Sequence, residues 1–510
     1  MKRRNFSNRC IRMFNRIIGY NNICCRIVPL WMLAVAFLMA SCSDFLEKAP
    51  TTQLSTSTFW RSEADAYTAL TGVYRTLRGT PIGNSRLPML DALTDNGWSQ
   101  YNNDDGRMQE IANGVITALT GGVISEMWNN NYWAIAHCNI FLSNIDNVTM
   151  SDALKRQYKG EVQFLRAQYY FMLTQFFGDV PLVLVPLTVE TMKQPRDPYN
   201  TVLNAIYEDL DAAINVLPDV SYNGHAVKAS ALALKARIQL FNNEFSLAAA
   251  TAKQVIDGGK FDLYDVDEYS YLKLFSCDGE QNNNPEIIFS VKYLRTTITS
   301  DIQTRMGAYT AMSPLDNFMN DFEPGDWRKT LVLMDTINNT WWPLGVAMGN
   351  LTFESNLWQS PTGFGVRKWS PITWDMIGSN HDPDVPLMRY AEVLLNYAEA
   401  KNEESGPDQS VYDAINKVRE RARLGKLEGL DQNTMREAIR HERRMELCYE
   451  GQRWMDLKRW KLAGDVIPKI PVNFREPDGA KRIWTDVFYY WPIQQAELDK
   501  DDNLKQTTGY

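Results

Sequence analysis

Residues 228–257, KASALALKARIQLF-NNEF-SLAAATAKQVID, decide how the rest of the chain is read. Alanine and leucine recur through 228–241 at helical spacing, and Asn242-Asn243 interrupts the run. Phe245 then precedes a second alanine-rich run, which Gly258-Gly259 closes. Small residues let two helices cross closely, and an aromatic before the second helix covers the turn. Those are the requirements of a tetratricopeptide-type hairpin. Residues 389–424 repeat the plan: RYAEVLLNYAEAKNE, a Ser405-Gly406-Pro407 turn, then VYDAINKVRERARL. The two copies are diverged and lie more than 100 residues apart, so the expectation is helical-repeat geometry without a regular array.

Working outward, the same periodicity recurs. Tyr67, Leu70, Val73, Tyr74 and Leu77 fall on one helical face. So do Tyr158, Val162, Leu165, Tyr169, Met172, Leu173 and Phe176. A third stripe, Leu203 to Leu217, stops at Pro218, and a fourth runs from Leu387 to Ala398. Each predicts an amphipathic helix that needs a neighbour to cover it. Residues 260–385 differ. They are rich in Asn, Gly, Pro, Thr and Trp, with short β-like runs such as Glu286–Tyr293. Six of the 15 Trp (Trp327, Trp341, Trp342, Trp358, Trp369, Trp374) lie there among turn residues. The chain therefore reads as mainly α: a tetratricopeptide-like helix-pair scaffold over about 42–259 and 386–510. Between them lies a loop-rich, ligand-facing excursion with short β-strands over about 260–385.

The N-terminus reads as a leader. Seven of the 53 basic residues and none of the 61 acidic ones fall in residues 1–41. An apolar run, Ile27–Ala40, follows the cationic start and ends at Ser41-Cys42, the pattern of a secretory signal too short for a membrane span. Met39-Ala40-Ser41-Cys42 is similar to a bacterial lipobox, with Met39 where Leu is usual; the expectation is lipidation of Cys42. Beyond residue 41, 46 basic face 61 acidic residues, a formal charge of −15. That balance argues against nucleic acid as a partner, which needs a basic face. Cys138, Cys277 and Cys448, the remaining cysteines, are too far apart for a disulfide framework and are expected as free, buried thiols.

Five segments together carry a family resemblance. They are CSDFLEKAPTTQLSTSTFWRSEADAYTALTGVYRTLR (42–78), QYKGEVQFLRAQYYFMLTQFFGDVPLV (157–183), MRYAEVLLNYAEAKNE (388–403), REAIRHERRMELCYEGQRWMDLKRW (436–460) and the closing FYYWPIQQAELDKDDNLKQTTGY. In order and spacing they resemble the SusD/RagB-like outer-membrane lipoproteins of Bacteroidetes, with Gln494 where that family usually has Pro. The resemblance implies an α-helical fold on tetratricopeptide-like pairs and a surface lipoprotein attached to the outer membrane. It also implies partnership with a TonB-dependent transporter of the SusC type. It implies capture of oligosaccharides, or of peptides in some branches, without cleavage, and no cofactor.

Individual residues were weighed against that background. Glu442, Arg443, Arg444, Glu446, Glu450, Arg453 and Asp456 invite a catalytic reading, but alternating charge at helical spacing favours ion pairs between packed helices. The four His are scattered, and YNNDDG (101–106) lacks the first and last ligands of an EF-hand, so no metal is expected. No GxxxxGK(S/T), GxGxxG or GxSxG pattern occurs. A glycoside hydrolase, whose two carboxylates sequence cannot pick out, stays open as the alternative from another class. A sugar binder needs flat aromatic faces with amides beside them. Two regions offer these: Trp98, Tyr101 and Asn102 within DNGWSQYNND (95–104), and Trp341, Trp342, Trp358 and Trp369 in the excursion. Trp60, Trp128, Trp133, Trp454 and Trp460 sit in helical patterns and are assigned to the core.

Overall fold

The first long helix begins where the sequence supplies a cap. Ser62 Oγ accepts from Asp65 N, and the Asp65 carboxylate accepts in return from Ser62 N. This reciprocal box opens α1, Glu63–Gly79. The computed structural model describes residues 59–99, 106–276, 283–294, 297–308, 311–335, 362–369, 383–470 and 482–510. The chain divides into two compact units, Met1–Arg61 and Ser62–Tyr510. Only 59–61 of the first are described, and the account below concerns the second.

Five more long helices follow: α2 (Val123–Asn144), α3 (Asp152–Phe177), α4 (Tyr199–Val216), α5 (Lys228–Phe241) and α6 (Phe245–Asp257). After the excursion come α7 (Tyr390–Ser405), α8 (Gln409–Arg421), α9 (Gln432–Glu446) and α10 (Gln452–Arg459). From α1 to α6 each helix packs against the next, and α7 packs on both α8 and α9. The stripe read along α3 is buried at every position from Tyr158 to Phe176. Helices α5 and α6 pack on each other, and Ala231, Ala248 and Ala252 are all fully buried, as the alanine pattern of the hairpin requires.

The scaffold is more continuous than the sequence spacing suggested. Helix α6 packs directly on α7, so the two hairpins are neighbours in space and the excursion is inserted between them. Its neck is a pair of strands. Ile287–Val291 (β2) and Val385–Arg389 (β6) pair antiparallel, with Ile287 opposite Arg389 and Val291 opposite Val385. The β-like run at 286–293 thus forms its strand, and its partner is the segment leading into α7. Two further two-stranded antiparallel sheets join β1 (Gly97–Ser99) to β3 (Met312–Pro314), and β4 (Leu333–Asp335) to β5 (Phe364–Val366).

Four core assignments need correction. Tyr67 is 49% exposed, because α1 turns Leu70, Val73 and Leu77 inward and leaves Tyr67 at the edge of the stripe. Trp133 is 46% exposed: α2 buries Trp128, Ala134, Ile135 and Cys138, and Trp133 lies edge-on against His137 at the surface. Trp60 and Trp460 are half-buried, whereas Trp128 and Trp454 are in the core as expected. Cys138 and Cys448 are free and buried, and burial pushes the Cys448 thiol up to about 12; Cys277 lies outside the described residues. Among the described residues no helix is long and apolar enough to cross a membrane.

Candidate functional site

The charged block at 436–460 is a structural knot. Glu446 accepts from Arg389 Nη1 at 2.5 Å, from Arg328 Nη1 at 3.0 Å and from Arg421 Nη2. Glu286, at the entry to β2, accepts from Arg389 at 2.8 Å and Arg421 at 2.5 Å. Arg328 also ties to Asp326 at 2.8 Å and Glu442 at 2.6 Å, and Lys368 to Glu450 at 2.6 Å. Arg443 and Arg459 share Asp456, at 3.1 and 2.8 Å. All of these side chains are buried or nearly so; the ties of Glu442, Glu446 and Glu450 join the C-terminal helices to the excursion, to α8 and to the strand before α7, while Asp456 links α9 to α10. Burial works to raise the Glu446 carboxyl, but Arg421, Arg389 and Arg328 overcome it and hold it far below the usual carboxylate range. A carboxylate so neutralised and so enclosed has neither the exposure nor the free proton of a catalytic acid. Gly451 makes the turn from α9 to α10 at φ 74°, where a Cβ would sit 2.6 Å from Leu87 Cδ1.

The knot fastens a small β cluster. Trp98 of β1 lies opposite Ser313 of β3, β3 packs beside β5, and Asp335 of β4 lies opposite Phe364 of β5. Asp95 accepts from Arg453 Nε and Nη2 at 2.9 Å and pairs with Arg444 at 2.9 Å. Burial raises that carboxyl, and the two guanidiniums overcome it and hold it at about 2. Asn96 accepts from Arg444 Nε at 2.8 Å and donates to Asp91 at 3.0 Å. Arg482 donates to the carbonyls of Thr94 at 2.6 Å and Gly97 at 2.7 Å, with its guanidinium 5.3 Å from the Trp98 ring centre. Lys368 and Trp369, just past β5, bind the carbonyls of Cys448 at 2.8 Å and Tyr449 at 3.0 Å.

This cluster gathers residues that flank the two aromatic regions the sequence singled out, together with the ends of other segments. Ser99 borders 100–105, Ala311 borders 309–310, and Asp335 and Thr362 border 336–361. Trp369 borders 370–382, and Arg482 borders 471–481. The attachment points of both aromatic regions are therefore brought together, although more than 200 residues separate them in the chain.

The individual candidates fare differently. Trp98 is 0% exposed and its ring offers no face to a ligand; strand pairing to Ser313 turns it into the core. Trp369 is likewise buried, with its indole N–H on Tyr449 O and its ring 4.9 Å from that of Phe275. Both are corrected from stacking platform to core anchor. Tyr101, Asn102, Trp341, Trp342 and Trp358 lie outside the described residues, as do Tyr101–Asp105 of the YNNDDG motif. What sequence reasoning missed is that the first half of the ligand-loop motif, Asp95 to Ser99, is a buried fastener. Its partners, Arg444 and Arg453, come from the other end of the chain, and no local signal announces them. A polar cavity of about 470 Å³ runs along α8, but its Tyr412 and Asn416 are spent on the backbone of Leu430 and Leu427.

Two family models match: "SusD family" over residues 305–510, and "Starch-binding associating with outer membrane" over residues 44–240. A SusD-like protein of Formosa agariphila is 27% identical over 510 residues, covering 92% of this chain and 97% of that one. A SusD-like protein of Bacteroides fragilis superposes with a TM-score of 0.76 at 24% identity, over 91% of this chain and 100% of that one. Surface glycan-binding protein A of Bacteroides thetaiotaomicron, solved with laminarihexaose, gives 0.71 at 21% identity, over 88% and 99%. The chain belongs to the SusD/RagB-like family of Bacteroidetes. That family is one of binding proteins associated with the outer membrane, not of enzymes, which removes the glycoside hydrolase alternative.

Proposed function

We propose that this chain is a surface lipoprotein, anchored through Cys42, that captures oligosaccharides and hands them to a SusC-type TonB-dependent transporter. The observation that carries the binding role is the β cluster: two aromatic segments, distant in sequence, are tied to one small, rigid platform. Rigid anchoring of variable loops is how binding surfaces are commonly built. Tyr101 and Asn102 follow directly on β1, and Trp341, Trp342 and Trp358 lie between β4 and β5. Those five residues are the ligand contacts we assign. Membership of a family of glycan binders, and a neighbour solved with laminarihexaose, support a carbohydrate ligand over a peptide.

Calorimetric titration of the purified protein against laminarin, starch and a peptide pool tests the reading. Binding of a polysaccharide, lost by at least tenfold in the Trp341→Ala/Trp342→Ala variant at unchanged thermal midpoint, is the expected result. Binding of peptides alone, or polysaccharide binding indifferent to the aromatic variants, would overturn it. For the partner, a mild-detergent pull-down from native membranes should recover a β-barrel transporter. A Cys42→Ala chain should leave the membrane fraction.

A further inference from the structure

Away from the β cluster, a cavity of about 170 Å³ opens between α1, the end of β2 and the turn at Gly224-His225. None of its lining residues belongs to the cluster. Tyr67, Tyr74, Arg75 and Arg78 come from one face of α1, where the i, i+7, i+8 and i+11 spacing sets them on successive turns. His225 stands across from them, its ring 6.2 Å from that of Tyr67 and 5.3 Å from that of Tyr74.

Charge is what sets this cavity apart. Nearly every buried arginine described above is matched to carboxylates, whereas Arg78 is half-buried and Arg75 exposed. Here, among the described residues, neither Arg75 nor Arg78 has an acidic partner. Arg78 is held in place by a backbone acceptor, donating from Nη1 to Lys292 O at 3.2 Å. Burial foremost, and to a smaller degree the neighbouring Arg75, lower its guanidinium from the usual range, against Tyr293, which raises it. Lys292 adds a third cation but spends it on Asp384 at 2.5 Å. Glu161, wholly buried behind His225, accepts from His225 Nδ1 at 2.8 Å and from Tyr74 Oη at 2.7 Å. It fixes the imidazole and phenol as the back wall and does not reach the arginines. So a chain whose body carries a formal −15 keeps two uncompensated guanidiniums beside the half-exposed ring of Tyr67.

We propose that this cavity is a second carbohydrate subsite, and that it takes a sugar bearing an anionic group, a uronate carboxylate or a sulfate ester. Arg75 and Arg78 supply charge-assisted donors to the anion, and Tyr67 supplies the flat face for the ring. The volume is below the ~300–1,000 Å³ of pockets that enclose drug-sized ligands, so it suits one charged residue of a longer glycan. A neutral sugar could accept hydrogen bonds from the guanidiniums but would leave their charge uncompensated.

The test is calorimetric titration of the detergent-solubilised full-length protein with trigalacturonate, with a sulfated galactose disaccharide and with neutral galactotriose. Binding of one anionic probe and not of galactotriose is expected, and the two anionic arms say which group is read. Affinity should fall as salt rises, and by about tenfold in Arg75→Gln, in Arg78→Gln and in Tyr67→Ala. Arg75 and Tyr67 are exposed, so their variants should fold normally, and circular dichroism checks it. Binding of neither anionic probe, equal binding of galactotriose, or arginine variants that bind as well as the parent would overturn the proposal. Failure here is separable from failure of the capture reading, whose polysaccharide titration depends on Trp341 and Trp342 and should be unchanged by Arg75→Gln.

Discussion

The hairpin α5–α6 and the turn α9–α10 are both pairs of consecutive helices, yet they are held by opposite chemistry. In the first, alanines and leucines such as Ala231, Leu234, Ala248 and Ala252 are buried, and the buried Arg237 of α5 turns to Glu392 of α7. In the second, Glu442, Glu446 and Glu450 are buried and tied to arginines or a lysine from distant segments, and the buried Asp456 is shared by Arg443 and Arg459 of the pair itself. The apolar pair gains stability by area, roughly 25 cal/mol per Å² removed from water. The charged pair balances large desolvation costs against geometry, and gains mainly specificity of docking for the excursion and for β1. The lesson is that a repeat-like scaffold can carry a non-repeating insertion when one junction is built from directional bonds.

Removing the central carboxylate should break that contrast most severely. Glu446→Ala leaves Arg328, Arg389 and Arg421 each one acceptor short, and a loss of about 3–5 kcal/mol is expected in denaturant unfolding. Leu234→Ala should cost a similar ~2–5 kcal/mol, and pH tells the two apart. Glu446 titrates lower in the folded than in the unfolded chain, so its contribution is full above roughly pH 4.5 and is lost as pH falls through the folded value. Stability measured from pH 7 down to 2 should therefore fall less steeply in Glu446→Ala than in the parent, whereas Leu234→Ala should shift the whole curve evenly. Identical slopes in both would remove the distinction.

Trp98→Ala comes next, at roughly 3 kcal/mol, because a wholly buried indole is replaced by a cavity. The thermal midpoint should drop by several degrees. An unchanged midpoint with lost glycan binding would restore Trp98 as a ligand contact.

The effect that is smallest per pH unit sharpens the comparison from the other side. Lys458 of α10 is a buried cation with no carboxylate partner among the described residues; it donates to Gln175 O at 2.7 Å, and burial lowers its ammonium to about 7. Between pH 7 and about 10 the unfolded chain holds that proton and the folded chain does not, so stability should rise with pH, by at most about 1.4 kcal/mol per unit. Lys458→Met should flatten this alkaline limb. A rise that persists in the variant would assign it to another group.

Much of this was legible in the residues themselves. Alanine spacing at 228–257, the Ser405-Gly406-Pro407 turn and the stripe from Tyr158 to Phe176 gave helices where helices stand. The charged block is structural, as its pattern implies, because alternating signs on a helix seek partners before they seek substrates. Trp98 and Trp369 went astray for one reason: an aromatic among turn residues looks exposed, and only strand pairing or a distant carbonyl reveals that it is inside. Tyr67 erred the other way, since periodicity marks a face but not how far the covering neighbour extends.

By itself, then, the sequence determined the local elements and the class of fold, since hydrophobic period, caps and small-residue crossings act within a few turns of chain. It also determined the family, through motifs that lie in order along it. Only the tertiary structure decided that α6 and α7 are neighbours, that Asp95 answers Arg444 and Arg453, and that two unpaired arginines share a cavity with Tyr67. Those facts depend on which surfaces meet across hundreds of residues. Burial then fixes them, because a charge taken out of water must find its partner wherever the fold has put it.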